Sequence, residues 1–83
     1  MLYRILTERK NKEEVAAIMT QHFDGFTLLE GVGYWERRAE PSLIVEVETD
    51  KQETVTRAAL AIKQHNAQEA VMIQRIANHA WLI

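Results

Sequence analysis

The order of apolar and polar positions along the chain predicts strands that alternate with helices. Residues 2–6 (LYRIL) form a short apolar run that is typical of a first strand. Residues 26–35 and 43–47 are rich in β-branched and aromatic side chains and flank a polar break at residues 36–41. That pattern predicts an antiparallel hairpin. Residues 70–76 (AVMIQRI) predict a fourth strand.

Helical spacing appears in the stretch before the hairpin and in the stretch after it. The first apolar stripe consists of Val15, Ile18, Met19, His22 and Phe23, and the second consists of Val55, Ala58, Ala59 and Ile62. Each stripe predicts a helix with one buried face. The second helix is expected to end near residues 65–66.

The ends of both helices carry capping signals. Asn11 is a suitable N-cap residue, and Glu14 three residues later predicts a capping box. Asp50 and Glu53 repeat this spacing before the second helix. Gly25 is expected to end the first helix in the left-handed conformation.

These elements predict an α+β protein, a ferredoxin-like β-α-β-β-α-β plait in one domain over residues 1–83. It has a four-stranded antiparallel sheet in the order 4-1-3-2, with two helices on one face and right-handed crossovers. The predicted core consists of Leu6, Val15, Ile18, Met19, Phe23, Leu28, Leu43, Val45, Val47, Val55, Ala59, Ile62 and Val71.

The face of the sheet without helices is expected to be apolar. It would expose Tyr3, Ile5, Leu29, Trp35, Ile44 and the tail residues Trp81, Leu82 and Ile83. A large apolar patch on a protein in water usually marks an interface. The pattern therefore predicts a homo-oligomer, a trimer or a dimer, with the tail at residues 77–83 packed on a neighbouring subunit.

Gly31 and Gly33 lie within the second predicted strand. A dinucleotide-binding loop needs three glycines that open a helix, and these two are followed by Tyr34 and Trp35. Glycine inside a strand more often marks a bulge, so we expect a bulge here. Pro41, which has no N–H to donate, is expected just before the third strand.

Composition and charge exclude several classes of protein. The 83 residues contain no cysteine, so a disulfide scaffold and a thiolate metal site are both excluded. Ten basic and twelve acidic side chains are interspersed, with a net charge of −2, which argues against nucleic-acid binding. No apolar run reaches the length of a membrane span, and a cytoplasmic location is expected.

Catalytic and metal-binding patterns are weak. The histidines His22, His65 and His79 lack the spacing of a metal site, so surface or helix-end roles are expected for them. Glu46 and Glu48 lie on the predicted polar face of a strand, where carboxylates are normally solvated. The sequence therefore predicts no catalytic residue, no metal site and no cofactor.

The best candidate for a binding site is the tip of the hairpin. Tyr34 and Trp35 offer an aromatic surface, and Arg37 and Arg38 offer charge for a small anionic ligand. The alternative is a solvated turn in which the arginines pair with neighbouring glutamates.

Two segments resemble the PII signalling proteins. These are residues 31–35 (GVGYW), which end the second strand, and residues 41–47 (PSLIVEV), which begin the third. The chain also resembles the CutA-type proteins of the same branch. Residues 23–27 (FDGFT), 40–42 (EPS) and 68–71 (QEAV), with the GYW strand end, are similar to a family of small bacterial proteins of unassigned function.

This resemblance implies the plait and a tendency to form oligomers, with a trimer slightly ahead of a dimer. PII proteins bind ATP through a long loop between the second and third strands and a glycine-rich loop before the fourth. The corresponding segments here, residues 36–41 and 66–69, are short and lack the phosphate-binding glycines and lysine. Nucleotide binding of the PII kind is therefore not implied.

The sequence favours a small regulatory or interaction module, because no nucleophile and base occur together. The alternative is a small enzyme of the dimeric ferredoxin-like barrel type, with a pocket between sheet and helices. Such a pocket would use His22, Tyr34 or Glu30 and would contain a group with a strongly shifted pKa.

Overall fold

The computed structural model describes residues 1–83 and confirms the ferredoxin-like plait. Its elements in chain order are β1 (Leu2–Glu8), α1 (Lys12–His22), β2 (Thr27–Trp35), β3 (Arg38–Glu48), α2 (Gln52–His65) and β4 (Met72–Ile76). The sheet has the strand order β2-β3-β1-β4, and all neighbouring strands are antiparallel. This is the predicted order read from the other edge.

One hydrophobic core lies between the sheet and the two helices. The strands contribute Tyr3, Ile5, Leu43, Val45 and Val47, and the helices contribute Val15, Met19, Val55, Ala58, Ala59 and Ile62. Burying a side chain such as Ile5 or Leu43 stabilises the fold by about 1.5–3 kcal/mol. Ile18, Phe23, Leu28 and Val71, also predicted in the core, are partly buried at its margin.

The predicted faces of β1 are reversed in the structure. Ile5 pairs with Val45, and residues paired across an antiparallel ladder point to the same face. Ile5 is completely buried in the core, whereas Leu6 lies opposite Ile44 and is only partly buried. The prediction of Leu6 as core and of Tyr3 and Ile5 on the open face was wrong, because apolar residues occupy both faces of this strand.

The predicted helix caps do not form. Asn11 precedes α1 with φ 55° and ψ 50°, and its side chain makes no cap hydrogen bond. Lys51, and not Asp50, precedes α2, again without a side-chain cap. The chain leaves α1 through extended Phe23, and Gly25 does not have positive φ.

The turn of the β2–β3 hairpin is shorter than predicted. It contains only Glu36 and Arg37, with φ of 49° and 65°, which is the backbone of a type I′ turn. β3 begins directly afterwards at Arg38, so Pro41 lies inside the strand, opposite Val32. The predicted six-residue break and the start of the strand at residue 43 were wrong.

The ladder between β2 and β3 continues without interruption from Thr27↔Glu46 to Trp35↔Arg38. The bulge predicted at the glycines is therefore absent. Gly31 lies opposite Ser42, and a Cβ atom added to Gly31 would be 3.6 Å from Ser42 Oγ. The glycines are ordinary strand positions beside a small side chain.

β4 is an exposed edge strand that begins at Met72, two residues later than predicted. Its first four residues are exposed, and only Ile76 is partly buried. The tail continues from this strand, and Asn78 Nδ2 donates to Glu48 Oε1 at 2.6 Å. Trp81, Leu82 and Ile83 are all largely exposed.

Candidate functional site

The β2–β3 hairpin extends beyond the rest of the sheet. The last residue pair between β1 and β3 is Glu8↔Ser42, whereas β2 and β3 continue to Trp35↔Arg38. Residues 32–41 therefore form a two-stranded ribbon, which we call the arm. Val32, Tyr34 and Trp35 on the arm are 63%, 77% and 69% exposed.

The structure places the four predicted ligand-binding residues on different sides of the arm. Trp35 and Arg38 are directly paired, so their side chains share a face. Tyr34 pairs with Ala39 on the opposite face, and Arg37 lies in the turn. One chain therefore brings two of the four side chains together and separates the other two from them.

No ion pair forms at the tip of the arm. The five ion pairs in the chain involve other residues, and neither Arg37 nor Arg38 makes a side-chain hydrogen bond. Glu36 and Glu40 are also without a cationic partner. The salt-bridged turn, which was the alternative interpretation of this segment, is therefore not formed.

A polar concavity of about 390 Å³ lies where β1 ends beside the base of the arm; its lining residues, Glu8, Arg9, Lys10, Glu40 and Pro41, define what we call the elbow. The Arg9 N–H donates to the Pro41 carbonyl at 3.1 Å and holds the loop after β1 against β3. Glu8 and Glu40 make no ion pair.

The cationic side chains of the elbow have partners within the chain. Arg9 Nη1 lies 3.2 Å from a Glu30 carboxylate oxygen, and Lys12 Nζ lies 2.9 Å from the other oxygen. The Lys12 hydrogen bond and charge, with a smaller contribution from Arg9, lower the pKa of Glu30. Lys10 Nζ donates to the Asn66 carbonyl at 2.8 Å. The unpaired charges of the elbow are therefore its carboxylates.

The elbow went unrecognised in the sequence. Arg9 and Lys10 are visible there as a small basic cluster, but Glu40 is 30 positions away from Lys10. The two segments meet only because β3 begins at Arg38 and passes the end of β1. A correct prediction of the two-residue turn was the signal that would have joined them.

A buried polar cluster beside the elbow was also missed. Asn66 is 1% exposed, and its Nδ2 donates to the Lys10 carbonyl at 3.2 Å and to Gln68 Oε1 at 3.3 Å. Asn11 Nδ2 donates to Asn66 Oδ1 at 3.0 Å, and Thr7 Oγ1 donates to Gln68 Oε1. Because every buried side-chain polar atom has a partner, the cluster fastens two loops and leaves no group free for a ligand.

The open face of the sheet carries apolar side chains around one ion pair. Arg4 Nε lies 2.7 Å from Glu46 Oε2, and Leu2, Leu6 and Ile44 lie at neighbouring positions of the same face. A concavity of about 650 Å³ separates this face from the tail; it is lined by Leu2, Gly25, Phe26, Thr27, Glu46, Glu48, Ala80, Trp81 and Leu82.

Glu48 links three parts of the chain beside this concavity. Its carboxylate accepts hydrogen bonds from the Met1 amino group at 2.6 Å and from Asn78 Nδ2 at 2.6 Å. These bonds, the one from the amino group first, lower the pKa of Glu48. The same hydrogen bond to Glu48 raises the pKa of the Met1 amino group.

The three residues considered for an enzyme lie in separate surroundings. His22 Nδ1 contacts the Ile18 carbonyl at 2.7 Å within its own helix, and Glu30 is bound by cationic side chains. Tyr34 lies on the arm, and none of the three lines either concavity.

No group of three His, Asp or Glu side chains is placed to hold a metal ion. Neither helix has the length and apolarity of a membrane span.

Solved structures share this fold at low sequence identity. A DUF3240 family protein from Shewanella baltica OS155 has a TM-score of 0.63 and 16% identity, and the alignment covers 99% of this chain and 94% of that one. The periplasmic divalent cation tolerance protein CutA from Archaeoglobus fulgidus has a TM-score of 0.58 and 15% identity, with 99% and 88% covered.

A phage SAM lyase in its apo state has a TM-score of 0.56 and 16% identity, with 87% of this chain and 75% of that chain covered. No family model matches the sequence, and no curated protein matches it. The likeness confirms the ferredoxin-like fold, which this chain shares with a CutA protein and with a DUF3240 family protein.

Proposed function

We propose that this chain is a small regulatory or interaction module that works as a homo-oligomer, a trimer or a dimer. The observation that carries the proposal is the exposed arm. A two-stranded ribbon is only marginally stable in water by itself. Val32, Tyr34 and Trp35 are each more than half exposed on this ribbon, so a neighbouring subunit would bury apolar area there.

The open face and the tail supply further apolar area for such an interface. Leu29 and Met72 are 43% and 58% exposed on the outer strands, and the tail ends in Trp81, Leu82 and Ile83. Residues 77–83 are all exposed, and Asn78 donates a hydrogen bond to Glu48. In the proposed assembly this tail packs on a neighbouring subunit.

A small anionic ligand would bind at a subunit boundary lined by Tyr34, Trp35, Arg37 and Arg38. Trp35 and Arg38 share one face of the arm, and the guanidinium group has no partner there. A guanidinium fork binds carboxylate or phosphate in two places, and an indole ring supplies an apolar surface beside it. Tyr34, on the other face, would reach the ligand bound by an adjacent subunit.

Analytical ultracentrifugation over micromolar concentrations tests the assembly. The full chain is expected to sediment as a trimer or dimer, and a chain truncated after His79 is expected to dissociate at lower concentration. Leu60→Ser is the matched control, because Leu60 is 49% exposed on a helix, away from the arm and the open face. A monomer throughout this range would remove the proposal.

Thermal-shift measurements with nucleotides and small carboxylates test the ligand. A stabilising compound is expected to lose its effect with Arg38→Ala and Trp35→Ala. Arg57→Ala, which removes an exposed arginine of α2, is the control. Equal shifts in all variants would leave the arm as a purely structural interface.

A small enzyme of the dimeric ferredoxin-like barrel type is the second candidate. Its support is that one protein of this fold is named a SAM lyase, so the fold accommodates catalysis. Turnover of a stabilising ligand, followed by mass spectrometry and lost with Glu30→Gln or His22→Ala, would favour the enzyme. We place either activity in the cytoplasm, which fractionation of the source cells would test.

A further inference from the structure

We propose that the tip of the arm of one subunit docks into the elbow of another copy of this chain. This inference rests on the proposed self-association and specifies the contact. The tip carries Glu36 and Arg37, and neither side chain has an ionic partner within the chain. The elbow offers two unpaired carboxylates, Glu8 and Glu40, in a concavity of about 390 Å³.

Charge complementarity identifies the occupant. Glu8 and Glu40 are unpaired carboxylates at the elbow, and Arg37 is an unpaired guanidinium at the tip of a projecting ribbon. Arg9 and Lys10 lie beside those carboxylates and already bind Glu30 and the Asn66 carbonyl, so they would add only a weaker attraction for the Glu36 carboxylate of the docked tip. The unpaired Arg37 therefore gains a carboxylate partner when a tip meets an elbow.

The tip and the elbow do not pair within one subunit. The tip is separated from Pro41, at the base of the arm, by the residues of β3 that precede it, and those residues are extended. The molecule measures 40 × 24 × 19 Å along its principal axes. No ion pair joins the tip to the elbow within the chain, whereas a second copy can bring a tip and an elbow together.

The backbone of the turn gives independent support. Type I′ turns favour Asn-Gly, because both central residues have positive φ. Here Glu36 and Arg37 occupy those positions with φ of 49° and 65°. Non-glycine residues in this conformation are strained, and such strain is concentrated at functional sites. A contact made by the two side chains explains their presence in an unfavourable conformation.

The docked arrangement divides the roles of the two arginines. Arg37 binds the neighbouring elbow, and Arg38 remains beside Trp35 for the proposed ligand. Charge pairs at an interface chiefly determine the partner and its orientation, while the apolar face and tail supply the buried area. The contact is expected to weaken as the salt concentration rises, because its groups are exposed before docking.

Charge reversal and its rescue test the contact. Arg37→Glu and Glu8→Arg should each weaken assembly about tenfold or more, since each places like charges together at the interface. The combined variant Arg37→Glu/Glu8→Arg should recover most of the lost affinity. Glu8 belongs to β1 and not to the arm, so the rescue reports a contact between the two regions.

Sedimentation equilibrium at low salt measures these affinities, and circular dichroism confirms that each variant folds. Arg57→Glu, the same charge change on α2, is the matched control. Assembly that is unchanged by both single variants, or a combined variant as weak as the two losses together, would overturn the arm–elbow contact and leave self-association standing. A wild-type chain that never assembles would overturn both.

Discussion

The two ends of the β2–β3 hairpin have one register and opposite surroundings. At its base, Leu43 and Val45 are completely buried beneath the helices. At its tip, Tyr34 and Trp35 are 77% and 69% exposed, although the same ladder of hydrogen bonds continues there. The difference shows that apolar residues in these strands serve two purposes. Those at the base are buried in the core of one subunit and stabilise it, whereas those on the arm remain exposed in a single subunit.

The largest effect is expected from a core substitution in β1, beside the buried base of the hairpin. Ile5→Ala should lower the free energy of unfolding by about 2–5 kcal/mol, because it leaves a cavity beside Val45. Val32→Ala on the arm should change the stability of the monomer by no more than about 0.5 kcal/mol. Urea unfolding of the two variants at concentrations below assembly measures the contrast.

Leu6→Ala sharpens this comparison within one strand. Leu6 lies on the open face and is partly buried, so its loss should cost the monomer less than the loss of Ile5. Equal losses for the two substitutions would contradict the assignment of faces in β1.

The sequence predicted the fold because the element order and the pattern of β3 are unambiguous. Leu43, Val45 and Val47 alternate with polar or less buried positions, and they all face the core. β1 has apolar residues on both faces, so only its pairing with β3 determines which face is buried. Such a choice is not encoded in the strand by itself.

The predictions of the turn and of the helix caps were wrong for related reasons. Glu36 and Arg37 lack the glycine and asparagine that signal a type I′ turn, so the hairpin seemed to have a longer loop. Asn11 has the chemistry of an N-cap, but its amide binds Asn66, which is distant in sequence. The four arm residues were predicted as a group, and their division between two faces follows from the turn that was missed.

A smaller effect is expected at the polar cluster that fastens the loops beside the elbow. Asn66→Ala removes bonds to the Lys10 carbonyl and the Asn11 amide, which leaves these partly buried groups without their partner. The free energy of unfolding should fall by about 1–3 kcal/mol. Asn78→Ala, at an exposed asparagine with a single hydrogen bond, is the control and should cost less.

The turn at the tip should respond in the opposite direction. Glu36→Asn/Arg37→Gly relieves positive φ at non-glycine positions, so the monomer should gain about 1 kcal/mol in unfolding free energy. If the tip docks into a neighbouring elbow, the same variant should assemble less tightly than the wild type. Urea unfolding and sedimentation on one preparation separate the two effects. A variant that is more stable and assembles as tightly as the wild type would mean that the tip makes no stabilising contact with a neighbouring subunit.

The smallest effect is expected from pH at the end of β3, where Glu48 accepts hydrogen bonds from the Met1 amino group and from Asn78. These hydrogen bonds lower the pKa of Glu48 below its ordinary value of 4.5. The folded state then binds the proton less readily than the unfolded state, so the contribution to stability is present above pH 4.5 and is lost as the pH falls through the lowered pKa. Glu48→Gln should therefore make the melting temperature less dependent on pH in acid. Because the carboxylate is exposed, the change should be modest.

Glu69→Gln is the control for this prediction. It removes an exposed carboxylate that makes no ion pair, and it should leave the acid limb of the pH profile of the melting temperature as in the wild type. Identical acid limbs for the Glu48→Gln variant and the wild type would show that the hydrogen bonds of Glu48 add nothing to the stability of the fold.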